Sequence, residues 1–534
     1  MTVEFPSKPS MTSEATVHGL LLSRCALHPD RTFLVFEDRR YSYAEFTAQA
    51  RRAASALQAL GIGRGDRVAL MVSNRPEFMF LWFGCSMLGA VEVPVNTAHR
   101  GDFLSYVLDR AECRAIVSEA AFWPQLAPVI ERARTLEHVV LLDGRPAYDG
   151  RLRLSAFETL PADEQVAPVD LDADSPHAIT FTSGTTGPSK GAVMPQRFPL
   201  LVGEIIARVV KYTPDDVLYN ALPLFHGNAQ FLSTIPALLA GAQVVLARKF
   251  SVSRFWDEVR QFGCTEFNYI GGIIPMLMKA EPSPRDRDHP VRVMMGAGAP
   301  RELFRKFEQR FGVRLIEGYG MSEIGIPLIT LDTATPPGSC GAPHPWYDVL
   351  LVDEAGGEVP DDTPGELLVR PRGLSGMMLE YYGMPERTVE AWRDLWFHTG
   401  DYLKRDASGN FWFVDRKKDA LRRRGENISS WEVEQVINAH PDVLESAAIG
   451  VPADVGEDEV MVCVAPKPGR VLDPAQLTSF CAERMAPFMV PRYVRIMSVL
   501  PKTPTERVQK FELRGQGVTA DTWDRLAARA GAPA

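Results

Sequence analysis

TSGTTGPSKG, residues 182–191, sets three glycines, a run of serine and threonine hydroxyls and one lysine directly after AITF, residues 178–181, which reads as the end of a strand. Such a stretch has little to give a hydrophobic core. Glycines let backbone N–H groups come close to a ligand, hydroxyls add donors and Lys190 adds a positive charge, a combination suited to the oxygens of a polyphosphate. It is not a Walker A loop, which needs Gly-Lys-Ser/Thr; here Ser189 precedes Lys190 and Gly191 follows it. The same composition describes a surface turn, so the decision falls to the segments that accompany it.

Those segments come in a definite order. ALPLFHGNAQ, residues 221–230, carries His226 behind an apolar run, a pattern that also fits a satisfied loop histidine. GAGAP, residues 296–300, turns from a strand over 291–295 into a helix starting near Arg301. The dinucleotide fingerprint fails because Arg301 stands at its third glycine, which leaves a small-residue turn at a strand's carboxyl end, where α/β sheets collect ligands. LIEGYGMSE, residues 315–323, reads as a strand followed by a glycine-rich turn bearing Tyr319, Ser322 and Glu323, and WFHTGD, residues 396–401, ends on Asp401. In DRKKDALRRRGENISSWEVE, residues 415–434, Ser429 and Glu432 form an S-x-x-E capping box, and Arg422, Arg423 and Arg424 read either as a solvated face or as a contact for phosphates.

In this order, over residues 41–513, the segments resemble the adenylate-forming superfamily of acyl-CoA synthetases, adenylation domains of peptide synthetases and luciferases. RRRGENISS, PLFHGNAQ and FNYIGG are most similar to its carnitine/crotonobetaine-CoA ligase branch. The resemblance implies an α/β fold with a large multi-subdomain N-terminal adenylate-forming domain (17–417) and a small mobile α+β C-terminal domain (418–534); residues 1–16, with Pro, Ser and Thr and no periodicity, read as a disordered leader. It implies that Thr182, Ser183, Gly184, Thr185, Thr186, Gly187 and Lys190 receive the phosphates of ATP. Adenine would lie against Gly296, Ala297, Gly298, Ala299 and Pro300, with Tyr319 stacked on it between Gly318 and Gly320. Ser322 would meet the α-phosphate, Glu323 would bind Mg2+, and Asp401 with Arg416 would hold the ribose. Each role suits its residue: an aromatic face for a base, a hydroxyl for a phosphoryl oxygen, a hard carboxylate for a hard cation. His226 would lie beside the acid, Lys418 would be the hinge, and Gly425 would belong to the loop that meets the pantetheine thiol of CoA.

One motif departs from the family. LPKTPTERVQKFELR, residues 500–514, has Glu506 and Arg507 where the family has Gly and a catalytic Lys. Arg keeps the charge but presents a planar fork in place of an ammonium. Arg507 serves directly, or Lys510 swings in, or this half of the site is adapted to another nucleophile; we order the readings so. The expected activity is an ATP-dependent ligase that uses ATP, Mg2+ and CoA to convert a carboxylic acid to acyl-AMP and then to a CoA thioester. The alternatives are an adenylase without CoA transfer, a diazotase activating nitrous acid for an aryl amine, and a nucleotide-binding scaffold without turnover.

The bulk properties agree. Of 534 residues, 46% are hydrophobic and 23% charged, ordinary for a globular protein. A net charge of −9 argues against a nucleic-acid partner, whose backbone demands a basic footprint. Seven scattered cysteines without a CxxC spacing point to a reducing cytoplasm and no zinc site. Residues 1–16 are polar and lack the apolar core of a signal peptide. Residues 78–95 approach the length of a membrane span, but Gly89 and Pro94 interrupt them, which predicts a buried helix running into a buried strand. Everything before residue 178 reads as scaffold. The partners implied are a small acid, ATP and CoA; oligomeric state is left open.

Overall fold

The computed structural model describes residues 11–182, 189–331, 334–416, 420–423, 426–453, 457–501 and 508–530. The chain divides into two compact units. One comprises Met1–Thr97, Val107–Thr180 and Gly191–Asp415; the other comprises Ala98–Tyr106, Phe181–Lys190 and Arg416–Ala534. The second therefore gathers two short pieces that a split of the linear chain near residue 417 does not include. Within it the ring of Tyr106 packs edge-on to Phe181, and a Cβ at Gly101 would sit 3.1 Å from the Arg484 carbonyl oxygen.

The first unit contains two large sheets, as its repeated helix-turn-strand pattern requires. A nine-stranded sheet runs in the order Ala342–Pro343, Gly325–Ile329, Arg314–Met321, Val293–Ala297, Glu266–Ile270, Val217–Asn220, Gln243–Leu246, Thr32–Phe36, Arg39–Ser42. Its central pairs are parallel and its two edges antiparallel. A seven-stranded sheet runs Arg153–Ala156, His138–Leu141, Ala115–Ser118, Arg67–Met71, Val91–Pro94, Pro176–Thr182, Lys190–Pro195. A third, antiparallel sheet includes Tyr347–Val352, Gly365–Pro371 and Trp396–Arg405.

The near-membrane-length stretch is interior. Helix Pro76–Leu88 is buried at every position but Glu77, ends at Gly89 with φ 67°, and leads into the buried strand Val91–Pro94. Gly84 lets this helix approach Tyr43–Ala59 closely, since a Cβ there would stand 2.9 Å from the Ala54 nitrogen. No helix among the described residues is long and apolar enough to cross a membrane.

The leader expected over 1–16 needs correction at its end. Residues 1–10 lie outside the described part, but Met11 N donates to Glu204 Oε1 at 3.1 Å, and Thr16 caps helix Val17–Leu27 by accepting from Gly19 N. Polar composition hid a segment whose backbone is anchored.

The second unit is built on a four-stranded sheet, Val443–Pro452, Asp458–Pro466, Tyr493–Ile496 and Trp523–Asp524. The apolar run VMVCVA is buried on both faces of its strand, and helix Ser430–Asn438 adds Val433, Val436 and Ile437 to the core. Within the basic run Arg422 is half-buried, while Arg423 fits neither reading given to the run. Arg423 is buried, 2.7 Å from Glu459, and donates to the carbonyls of Phe488 and Val490, so it closes the fold of its own domain. Arg424 lies outside the described residues.

Candidate active site

In the first unit, the sequence motifs converge at the carboxyl ends of neighbouring parallel strands. PLFH follows Val217–Asn220, Gly271-Gly272 follows Glu266–Ile270, and GAGAP begins within Val293–Ala297. Two of these glycines are obligatory. A Cβ on Gly296 would lie 2.2 Å from the Tyr269 carbonyl oxygen, and one on Gly271 would lie 2.3 Å from that of Gly298, itself at φ 77°. The two turns therefore touch backbone to backbone. Glu317, on the next strand, accepts a hydrogen bond from Ala299 N at 2.7 Å and from the Tyr269 hydroxyl at 3.3 Å. Burial pushes its carboxyl up to about 7, against the pull of those donors. Thus Gly296, Ala297, Gly298, Ala299 and Pro300 form a turn fixed by a carboxyl that the motif reading passed over.

The segment expected to be a strand followed by a turn is longer in the structure. Strand Arg314–Met321 runs on through Gly318 and Gly320, because the returning strand Gly325–Ile329 packs where side chains would stand. A Cβ on Gly320 would be 2.1 Å from the Gly325 carbonyl oxygen. Tyr319 is buried and donates its hydroxyl to Asp401 Oδ2 at 2.7 Å, joining two sequence motifs 82 residues apart. Ser322 is half-buried in the turn beyond. Glu323, 3% exposed, accepts from the Tyr381 hydroxyl at 3.0 Å, and Met378 N donates to its carbonyl. Residues 379–382 hydrogen-bond along Gly191, the last residue of the glycine-rich stretch, and Val193, so Tyr381 ties Glu323 to that strand. No signal in the sequence marked Tyr381.

His226 is half-buried, its ring 4.7 Å from that of Phe225, and its N–H closes a turn on the Pro223 carbonyl at 3.0 Å. Asn74 locks that turn: its Oδ1 accepts from Leu224 N at 2.8 Å and its Nδ2 donates to the carbonyls of Leu222 and Ala247. A residue before 178 thus braces the turn that carries His226. The helix that follows the turn is a π-helix, Asn228–Thr234, a form that recurs at functional sites, continuing as α-helix Ile235–Ala240.

In the second unit, Thr182 Oγ1 donates to the Lys190 carbonyl at 3.4 Å. Ser189 N donates to Glu432 Oε1 at 3.0 Å, and the Ser189 hydroxyl bonds the same oxygen. Glu432 N is capped by Ser429 at 3.4 Å, so the capping serine is in place while the glutamate's carboxylate is engaged by Ser189; burial pushes that carboxyl up to about 7. Lys510 donates to Ser430 at 2.8 Å and pairs with Glu434 at 2.7 Å. Ser183, Gly184, Thr185, Thr186, Gly187, Lys418, Gly425, Glu506 and Arg507 lie outside the described residues, as does the Arg416 side chain.

The first unit thus sets a buried tyrosine on Asp401, a buried glutamate on a second tyrosine, and a pair of glycine-packed turns at the carboxyl ends of adjacent strands. Residues 21–382 match the AMP-binding enzyme family and residues 432–507 the AMP-binding enzyme C-terminal domain. The chain belongs to the AMP-binding enzymes, the adenylate-forming acyl-CoA ligase superfamily. A crotonobetaine/carnitine--CoA ligase of Salmonella heidelberg is 33% identical over 509 residues, covering 91% of this chain and 96% of its own. The structure of the anthranilate CoA ligase AuaEII with anthranoyl-AMP is 26% identical, with a TM-score of 0.70 over 96% of this chain and 98% of that one. The o-succinylbenzoate CoA synthetase of Bacillus subtilis, bound to a product analogue, shares the fold with a TM-score of 0.80 at 22% identity, over 93% and 98% of the two chains. These relatives give no support to the diazotase alternative.

Proposed function

We propose that this enzyme joins a carboxylic acid to CoA through an acyl-AMP intermediate, with ATP cleaved to AMP and pyrophosphate. The observation that carries the reading is the pair of buried contacts Tyr319–Asp401 and Glu323–Tyr381, which set an aromatic ring and two carboxylates around one strand-to-turn segment. The names of the curated relatives support CoA as the acceptor.

In the first step an oxygen of the acid, seated beside His226, attacks the α-phosphorus; the bond from that phosphorus to the bridging oxygen breaks, and pyrophosphate leaves. Thr182, Ser183, Gly184, Thr185, Thr186, Gly187 and Lys190 hold the phosphates, and Ser322 donates to the α-phosphate. Asp401 with Arg416 takes the ribose hydroxyls, while Tyr319 and the Gly296 turn take adenine. The Glu323 carboxylate, fixed by Tyr381 and with the Ser322 hydroxyl next to it in the chain, is a donor set that fits Mg2+. When bound, the ion neutralises phosphate charge. Arg507 stabilises the charge that builds on the phosphate. Its assignment ahead of Lys510 is supported by the commitment of Lys510 to Glu434 and Ser430.

In the second step the CoA thiolate, its proton passed to solvent, attacks the acyl carbon; the acyl–oxygen bond to AMP breaks and the thioester forms. Lys418 serves as the hinge of a C-terminal domain over 418–534, and Gly425 belongs to the loop that receives the thiol. Seven unpaired cysteines support action in the cytoplasm. Acid-dependent pyrophosphate release from purified protein, followed by CoA-dependent thioester detected by mass, tests the proposal. Release of ADP, or no release with any acid in a broad panel, refutes it.

A further inference from the structure

We infer that Glu92, acting through Gln230, is a positioning residue for the turn that carries His226. The inference rests on the reading above in one respect only, the assignment of that turn to the acid substrate.

Glu92 lies on strand Val91–Pro94 inside the seven-stranded sheet, opposite Val68 on one neighbour and Ala178 on the other. It is fully buried. Nothing in the sheet itself calls for a carboxyl here, since the neighbouring ladder positions are apolar and a branched aliphatic side chain would pack at lower cost. Its Oε1 accepts from Gln230 Nε2 at 2.9 Å, and the same nitrogen donates to the Leu224 carbonyl at 2.8 Å. One amide nitrogen therefore bridges a strand of one sheet to the turn that follows a strand of the other. Gln230 itself belongs to the π-helix Asn228–Thr234.

Leu224 is thereby held at both backbone polar groups by side chains: its N–H by Asn74 and its C=O by Gln230. His226 follows two residues on. Without the acceptor on Glu92, the Gln230 amide loses the contact that orients it, and the Leu224 carbonyl loses a fixed donor. Small displacements of substrate-positioning groups are felt strongly, with about 1 Å enough for a hundredfold loss. Burial pushes the Glu92 carboxyl up to about 8, so the group is neutral at pH 7. A neutral carboxyl can hold Gln230 without adding a negative charge near an anionic substrate. Its Oε2 has no hydrogen-bond partner among the described residues, so the single Gln230 contact is what orients the group.

The test is steady-state kinetics of acid-dependent pyrophosphate release by the full chain, alongside thermal unfolding, for Glu92→Gln, Glu92→Leu, Gln230→Ala and the Leu/Ala double variant. Glu92→Leu and Gln230→Ala should each raise KM for the acid about tenfold while KM for ATP stays within about twofold. The double variant should be no worse than either single, because both cut one chain of contacts. Glu92→Gln keeps an acceptor oxygen and should stay within about threefold of the unaltered enzyme. If Glu92→Leu does not fold, Gln230→Ala is read by the same criteria. An unchanged acid KM, a parallel rise in the KM of acid and ATP, or a Gln variant as impaired as the Leu variant overturns the inference. An unaltered enzyme that releases no pyrophosphate with any acid overturns the ligase reading, and with it the role given to the turn.

Discussion

The two ends of the nine-stranded sheet use similar side chains to opposite purposes. At the amino end, three residues that each precede a parallel strand are tied together. Arg292 contacts Asp216 at 2.9 and 3.1 Å, and Thr265 donates to Asp216 at 2.7 Å. Burial pushes the Asp216 carboxyl up, but these hydrogen bonds outweigh it and hold the group below the usual range. At the carboxyl end, Asp401 accepts from a tyrosine, Glu323 from a tyrosine and Glu317 from a backbone N–H. A guanidinium that closes on a carboxylate cancels its charge, whereas a phenol or amide fixes its direction without supplying a counter-charge. The first end stores stability. On the function proposed, the second serves binding.

The contrast can be broken most directly at Glu323. Glu323→Gln should lower acid-dependent pyrophosphate release by about two to three orders of magnitude without moving the unfolding midpoint; a loss under about tenfold would show that its charge is not used. Arg292→Met should do the reverse, costing about 2 kcal/mol in urea denaturation because Asp216 keeps a buried charge, with turnover per folded molecule unchanged. Tyr381→Phe removes only the hydroxyl that orients Glu323 and should reduce turnover about tenfold, with a shifted Mg2+ dependence.

The two ends should also answer pH in opposite directions. With Glu317 raised to about 7, its unfolded carboxyl ionises near 4.5 while the native one keeps its proton. Its contribution is present below pH 4.5 and is lost as pH rises through 7, at up to about 1.4 kcal/mol per pH unit. Asp216, held low, contributes above its unfolded value and loses that contribution as pH falls through its native one. Urea midpoints of Glu317→Gln between pH 5 and 7.5 should show a flatter decline than the unaltered protein. The smallest effect belongs to Tyr319→Phe, which keeps the ring and loses the Asp401 contact. KM for ATP should rise about two- to fivefold.

What could be read from the chain follows from how local each feature is. GAGAP declares itself as a small-residue turn after a strand, EGYGMSE and WFHTGD because a glycine, an aromatic ring and an acid fall within a few residues, and the family resemblance supplies their roles. Asn74, Glu92, Gln230 and Tyr381 were illegible because each is defined by a partner far away in sequence: Glu92 and Gln230 are 138 residues apart, Glu323 and Tyr381 58. A lone Glu in an apolar strand carries no local mark of what it touches. Arg423 misled for the same reason, since its company in sequence is basic and its company in space is Glu459 and two carbonyls.

The wide turn over Asn228–Thr234 has an evolutionary consequence. A π-helix holds about one residue more per turn than an α-helix needs, so losing a single codon there would restore regular winding and leave the side chains that follow close to their present facing. The wide turn is thus a place where the chain can change length by one residue while helix Ile235–Ala240 keeps its buried face.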